Sequence, residues 1–509
     1  MHIPFPASGL AAAWTQQDPA LVSALQNHLA GVPSGADHDP ATLRAAVADA
    51  IAAGYRRSGL GIPSALERFR SGARTVTTGH QLVVAGGPAY LHAKAMTAIR
   101  RAGPEGVAVF WLASEDHDAA EAGTLPRRSF RWIPAEGNPV GRWTVDDALR
   151  DQLAAWADEA ALHPADRAAL LRHAVPGRPY ADVFRCWMDA WFGGTNLLVL
   201  DGDDPALKAL AAPLLRAELT GHGVAAPVAA TTAVLEAAGF PAQAQPRPIN
   251  LFEFVPSADG TTRRIRVDAP VPDAALEPWE RWSPGVLLRP LYQEWLLGSD
   301  EVVGGPAEVA YWLQCASAFR ALGVPFPRIV LRDGVLVHTT SSANAAQAIG
   351  WEPGLSAQRT DELFRQWLTE RAVPADRAEA IATALQVLEQ AWTDAAAAID
   401  PTLEAAARAS AARTATESDS LTKKLRKGYA ARHAHEVTAT ETGLSWLLPG
   451  GLPQERVRTA LELAAELGGW DTWRSTWLTT SHAVPLDHPP VLWIWPDPAP
   501  EEPSALRLK

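Results

Sequence analysis

Residues 75–96 read TVTTGHQLVVAGGPAYLHAKAM, and their reading decides the fold. Thr75–Thr78 is a short β-branched run of strand type. Gly86-Gly87-Pro88 then opens a segment of helical character, GPAYLHAKAMTAIRRAG, which stops at Gly103-Pro104. The next stretch, GVAVFWLAS (106–114), is continuously apolar, as a strand buried on both faces must be. Strand, helix, strand in this order is a βαβ crossover, the unit of a doubly wound parallel sheet. NLLVLDGDD (196–204) and the helical PALKALAAPLLRAELTGHG extend the same rhythm. The expected class is therefore α/β, with a Rossmann-like parallel sheet core.

Working outward, residues 1–72 read as helices, two of which start on Asp18-Pro19 and Asp39-Pro40. Residues 125–190 interrupt the alternation as a mixed insertion between strands. PINLFEFV and TTRRIRVDA pattern as an antiparallel pair. VGGPAEVAYWLQCASAFRALG is a helix closed by Gly323, and PFPRIVLRDGVLVHTT holds a strand and a turn. From about residue 360 the chain is helical and alanine-rich. Pro401 interrupts it, and 402–447 has no proline and one glycine, which suggests a helical hairpin or coiled coil. PPVLWIWP (489–496) is expected to return to the core as a strand. The expected division is a core over 1–375, a coiled-coil dimerisation segment over 376–450 and a returning segment over 451–509.

The chain has 509 residues and a net charge of −12, which argues against a nucleic-acid partner because phosphate recognition needs a basic face. No apolar run approaches the 18 or so residues of a membrane span, and the N-terminus lacks the pattern of a secretory signal. Its 2 cysteines, Cys186 and Cys315, sit in apolar helical contexts and suit core positions in a reducing compartment. A cytoplasmic protein is expected. No cysteine or histidine spacing points to a structural metal.

In an open α/β sheet, ligands bind beyond the carboxyl ends of the strands. One such end is Thr78-Gly79-His80-Gln81, running on to Gly86-Gly87-Pro88. Free N–H groups at a glycine-rich helix start favour an anion, and Lys94 would add charge if it faced the turn. The pattern is neither a Walker loop nor GxGxxG. The alternative is a plain Gly-Pro helix start with His80 hydrogen-bonded in the loop. A second end is WLASEDHDAAE, where a buried strand runs into Glu115-Asp116-His117-Asp118. Three carboxylates around an imidazole shift one another's proton affinity, which suits a general base or an oxygen-ligated Mg²⁺. The alternative is a solvated loop with Asp118 as helix cap. Arg289, in LLRPLYQEWLL, needs an anionic partner if buried. EVVGGPAEVAYWLQ repeats the Gly-Gly-Pro start at Gly304-Gly305-Pro306 and carries Glu308, Tyr311 and Gln314 on or near one face. Lys423, Lys424, Arg426, Lys427 and Arg432 form a basic run on the long helix, either a solvated face or a phosphate contact in cis or across a dimer.

The order TGHQ, GGPAYLHAKAMTAI, VFWLASEDHD, INLFEF, LLRPLYQEWLL, VGGPAEVAYWLQ, GVPFPRIVLRDG, KKLRK and GGLPQERV, from Arg74 to Val457, resembles the bacillithiol biosynthesis cysteine-adding enzyme family. That family usually has TGQQ where this chain has His80 in TGHQ. The resemblance implies a nucleotidyltransferase-type Rossmann core with insertions, and a C-terminal coiled coil that makes a homodimer. It implies a cysteine ligase, which joins the carboxyl of L-cysteine to the amine of glucosaminyl-malate to give bacillithiol. Amide formation needs an activated carboxyl, so ATP with Mg²⁺ is the expected cosubstrate. Asp116, His117 or Asp118 would take the amine proton, with Glu115 in the same cluster. Thr78, Gly79, His80, Gln81, Gly86, Gly87, Pro88, Lys94 and Asn250 of INLFEF would bind nucleotide or substrate, as would Arg289, Gly304, Gly305, Tyr311 and Gln314. Two other readings are an adenylate-forming or aminoacyl-transferring enzyme with another amine acceptor, and a non-catalytic dimeric metabolite-binding protein.

Overall fold

A computed structural model describes residues 9–126, 128–257, 261–481 and 491–494. Its centre is a parallel sheet of β1 (Thr75–His80), β2 (Val107–Leu112), β3 (Leu197–Asp201), β7 (Glu301–Gly304) and β8 (Arg328–Leu331). The strand order is β3-β2-β1-β7-β8. Every pairing is parallel, with Thr78 opposite Phe110 on one side and Val303 on the other. The chain winds outward from β1 to β3, then crosses back to lay β7 and β8 on the far side. The strand order reverses between β1 and β7, and in such a sheet a crevice opens beyond the carboxyl ends at that reversal.

The helix Tyr90–Ala102 is buried along its whole length, including His92, Lys94, Arg100 and Arg101. Two of these charges are matched internally. Arg100 pairs with Asp333 at 2.8 Å, and Arg101 with Glu301 of β7 at 2.5 Å. Both are buried ion pairs, costly to break from one side. A second sheet, β4 (Leu251–Pro256), β5 (Thr262–Arg266) and β6 (Trp282–Pro284), is antiparallel with order β5-β4-β6, as the alternation of INLFEF and TTRRIRV requires. In the insertion, Trp132, Trp143, Tyr180 and Trp187 meet edge to face, and this aromatic cluster gives the segment a core of its own.

The chain separates into two compact units, one of His2–Leu336 with Glu455–Ile494 and one containing Val337–Gln454. The helical unit therefore starts well before residue 376, where the sequence suggests a division. The reason is packing: Thr340–Ile349 lies on Ala434–Leu447, and Ala357–Ala372 lies on Glu404–Arg432. Gly443 permits the first contact, since a Cβ there would stand 2.5 Å from that of Ala345. Helices Ala375–Ile399 and Glu404–Arg432 pack on each other and bury only Ala411 between them. His433 breaks the long helix expected over 402–447, and Cys315 breaks the one expected to run to Gly323. Of PPVLWIWP, Val491–Ile494 form β10, which pairs with β9 (Gly334–Val337), and the rest lies outside the described residues.

Candidate functional site at the switch point of the sheet

A cavity of about 730 Å³ lies at the carboxyl ends of β1 and β7, roofed by β4 and β5. Lys94, Arg247, Arg264, Arg266, Arg289, Arg332 and Arg456 supply its positive charge, against Asp116, Asp118, Glu121 and Glu308. A net-negative chain has thus gathered a local excess of cations in one concave site, which draws anions in.

One wall is built by β2 running into Glu115-Asp116-His117-Asp118. Glu115 is fully buried behind the cavity wall and accepts from Arg289 Nε at 2.8 Å through Oε1. Its Oε2 has no hydrogen-bond partner among the described residues, and burial pushes its carboxyl up despite Arg289 and Arg264. Asp116 is engaged at both oxygens. Oδ2 accepts from Gln81 Nε2 at 3.0 Å and Arg289 Nη2 at 3.1 Å, and Oδ1 accepts from the His117 N–H at 2.7 Å. Burial opposes its ionisation, but hydrogen bonding to His117 and the charges of Arg289 and Arg264 prevail and hold the carboxyl well below its usual range. Arg264 is buried against Ser283 Oγ and the Pro284 carbonyl, with its guanidinium 3.9 Å from the Phe252 ring. It donates to His117 Nδ1 at 3.1 Å. A guanidinium only donates, so Nδ1 is the acceptor and the ring proton sits on Nε2. Asp118 caps the following turn through the Glu121 N–H at 3.0 Å. The cluster is therefore an arginine-braced carboxylate array, and no group of three acidic, histidine or cysteine side chains among the described residues has metal-binding geometry.

The opposite wall joins β1 to the helix Pro306–Gln314. Lys94 is buried, donates to the Gly79 carbonyl and pairs with Glu308 at 2.7 Å. Burial lowers its proton affinity and Glu308 opposes that shift. Glu308 also accepts from the Gly305 N–H at 2.7 Å, so this helix start already carries a carboxylate of its own. His80 donates from Nδ1 to the Gln81 carbonyl at 3.1 Å. Burial and the neighbouring Lys94 drop its pKa to about 4, which makes it a neutral ring whose Nε2 has no hydrogen-bond partner among the described residues. Burial raises Tyr90 to about 12 and also pushes Tyr311 up, so both keep their phenolic protons.

The cavity brings together Gly79, His80, Gln81, Lys94, Asp116, His117, Asp118, Asn250, Arg289, Gly305 and Tyr311. Other expected residues do not reach it. Gly86 and Gly87 have φ of +77° and +59°, and a Cβ on Gly86 would lie 2.3 Å from His92 Cε1, in a packed aromatic site. Pro88 bridges to Thr459, and the Ala89 N–H is taken by the Arg458 carbonyl at 2.8 Å. The expected anion cradle of the first glycine turn is thus a packing device. Thr78 donates to the Val303 carbonyl at 2.9 Å, stitching β1 to β7. Gln314 fixes the 243–244 loop by accepting from both backbone N–H groups, and Gly304 lies within β7. Asn250 lines the cavity but is itself held by Glu218. Lys423, Lys424 and Lys427 are exposed on Glu404–Arg432, as half-buried Arg426 is in part, and none has an ion pair among the described residues.

Sequence reasoning passed over Glu121, Arg247, Arg264, Arg266, Arg332 and Arg456. Glu121 stood in plain view at the end of WLASEDHDAAE. Arg264 and Arg266 alternate with outward residues in β5, and that period of two was the available signal. Arg456 enters from a segment 120 residues beyond β9, held by the buried Arg332–Glu455 pair at 2.5 Å, which no local pattern announces.

The fold and cavity define a Rossmann-like α/β protein whose site lies at the switch point of the sheet. Residues 23–270 and 271–333 match the profile "Bacillithiol biosynthesis BshC, N-terminal Rossmann-like domain", and 335–470 match that of its C-terminal coiled-coil domain. The chain belongs to the BshC family of bacillithiol biosynthesis. Similar proteins bear the name "Putative cysteine ligase BshC". The one from Cytophaga hutchinsonii is 29% identical over 75% of this chain and 76% of its own length. That from Symbiobacterium thermophilum is 31% identical over 70% and 72%. That from Chlorobaculum tepidum is 26% identical over 77% and 78%.

Proposed function

We propose that this protein is a cytoplasmic ligase that joins the carboxyl of L-cysteine to the amine of glucosaminyl-malate, forming the amide bond of bacillithiol. Membership of the family and the names of the relatives support the reaction class. The observation that carries the reading is the cation excess in the cavity of a chain whose net charge is −12. Arg247, Arg266 and Arg456 line it with no acidic partner among the described residues. Such unmatched arginines suit a ligand with several carboxylates and the phosphates of an activating nucleotide. A free carboxylate is a poor acyl donor, so ATP, supplied as its magnesium complex, is the proposed activator. Arg289 stays committed to Glu115 and Asp116 and shapes the wall.

Dimerisation through the helical hairpin completes the proposal. Ile381, Leu388, Trp392 and Ile399 are exposed on Ala375–Ile399 and recur at seven- and four-residue spacing along one face, an apolar stripe that a second copy would cover.

The test is a reconstitution with L-cysteine, glucosaminyl-malate, ATP and Mg²⁺, read by mass spectrometry. The condensed thiol is the expected product, and its absence when ATP is omitted would establish the activation. A folded protein that forms none would sink the reading.

A further inference from the structure

Amide formation requires that the acceptor ammonium lose a proton before its nitrogen can attack. We propose that Glu121 is the catalytic base that takes it. This inference rests on the amide-forming reading above and adds the residue that makes the nucleophile.

The argument starts from which lone pairs at the site are free. Glu115 is buried behind the wall and tied to Arg289. Both oxygens of Asp116 are engaged, by Gln81 and Arg289 on one side and the His117 N–H on the other. Glu308 holds Lys94 with one oxygen and the Gly305 N–H with the other. Asp118 caps a turn. His117 offers Nδ1 to Arg264 and has its proton on Nε2. His80 Nε2 has no hydrogen-bond partner among the described residues, but burial and Lys94 leave it too weak a base to hold a proton near neutral pH. Glu121 lines the same cavity, and neither of its carboxylate oxygens has a hydrogen-bond or ion-pair partner among the described residues. It sits on the short turn Ala119–Ala122, which the cap from Asp118 holds in place.

Its surroundings tune it for the task. The residue sits at the solvent-exposed rim of the cavity, and partial loss of water around its carboxylate is the largest cause of the shift. Asp118, Asp116 and Glu308 add negative charge, Lys94 opposes them, and the result is a carboxyl pushed up to about 7. Tyr90, which faces it, stays protonated and contributes no charge. A base is most effective with a pKa near the working pH.

The step balances as follows. The Glu121 carboxylate takes one proton from the acceptor ammonium, leaving a neutral amine. The amine lone pair attacks the carbonyl carbon of the activated acyl group, an acyl–phosphate mixed anhydride, and the C–N bond forms. The C–O bond to the phosphate breaks, its electron pair leaves with the phosphate oxygen, and the second nitrogen proton passes to that phosphate or to water.

The experiment compares wild type, Glu121→Gln and Glu121→Asp in the complete reaction, across pH 5.5–9. The expected kcat loss for Glu121→Gln is about 10²- to 10⁴-fold, with KM for both substrates within about twofold. The wild-type limb near pH 7 should vanish in Glu121→Gln and survive, shifted, in Glu121→Asp. A residue of merely structural value would not remove the limb while sparing KM. Product from the wild type with an unchanged rate and limb in Glu121→Gln overturns the role of Glu121 alone. No product from the wild type at any pH overturns the reaction assignment, and this role with it.

Discussion

The sequence GGPA occurs twice, at 86–89 and 304–307, each time between a strand and a helix. The two copies do opposite things. Gly86 and Gly87 adopt left-handed φ of +77° and +59° and turn the chain inside a dry aromatic nest of His92 and Trp191. Gly305 has φ −77° and ψ 173°, a conformation open to any residue, and faces the cavity. At the first copy the helix start is closed off by the Arg458 carbonyl. At the second it is met by Glu308, which also neutralises Lys94 sent across from the first helix. The same motif therefore borders a cavity only where the surrounding chain leaves it room, and in both copies the chain itself supplies an acceptor at the helix start.

Four measurements would break or sharpen this contrast. The largest effect is expected for Gly86→Ala. Its Cβ would lie 2.3 Å from His92 Cε1 and 2.9 Å from Trp191, at a positive φ. Overpacking and backbone strain together should cost about 4 kcal/mol, visible as a collapse of the urea midpoint.

Next is Glu308→Gln, which leaves Lys94 buried without a counter-charge. A loss of about 3 kcal/mol at pH 7 is expected. The Glu308 carboxyl is held below its ordinary value of 4.5, where burial opposes but the charge and hydrogen bond of Lys94 prevail. Its contribution is thus present above pH 4.5 and fades as pH falls through the folded-state value. The gap between wild type and variant should narrow below pH 4, and a constant gap would refute the pairing.

His80→Gln should be smaller. The folded-state pKa of about 4 lies below the ordinary 6.5, so the neutral ring favours folding above pH 6.5 and progressively less as pH falls toward 4. Replacing it should flatten that segment of the stability profile, by on the order of 1–2 kcal/mol at pH 5. Profiles that coincide would show that the ring titrates normally.

The smallest effect is expected for Gly305→Ala. A Cβ there meets Glu308 Oε2 at 3.3 Å and Arg332 Nε at 4.0 Å, and the end of the flexible Glu308 side chain can yield. A midpoint change below about 1 kcal/mol is expected, and a loss comparable to that of Gly86→Ala would erase the distinction between the two starts.

Much of the architecture was legible because it rests on local periodicity. The apolar run GVAVFWLAS could only be a strand covered on both faces, and it is β2, fully buried. The antiparallel pair around INLFEF was equally plain. The site was legible in part. EDHD was marked by its density of charge at a strand end, and Arg289 by its apolar setting. Which of these groups are free could not be read, because that depends on Arg264, Arg289 and Lys94 arriving from segments far apart in the chain. Glu121 belongs to a quoted motif, yet its standing comes from what its neighbours have already bound.

The sequence by itself determined the parallel core, the helical hairpin and the family, since these follow from residue patterns over short windows and from collinear motifs. Only the tertiary structure decided that the strand order reverses between β1 and β7, that one Gly-Gly-Pro start is sealed while the other faces a cavity, and that arginines from five separate segments surround it. Local patterns report how a segment buries its own apolar face. Charge pairing and cavity lining are set by which distant segments meet, and that is a property of the packed chain.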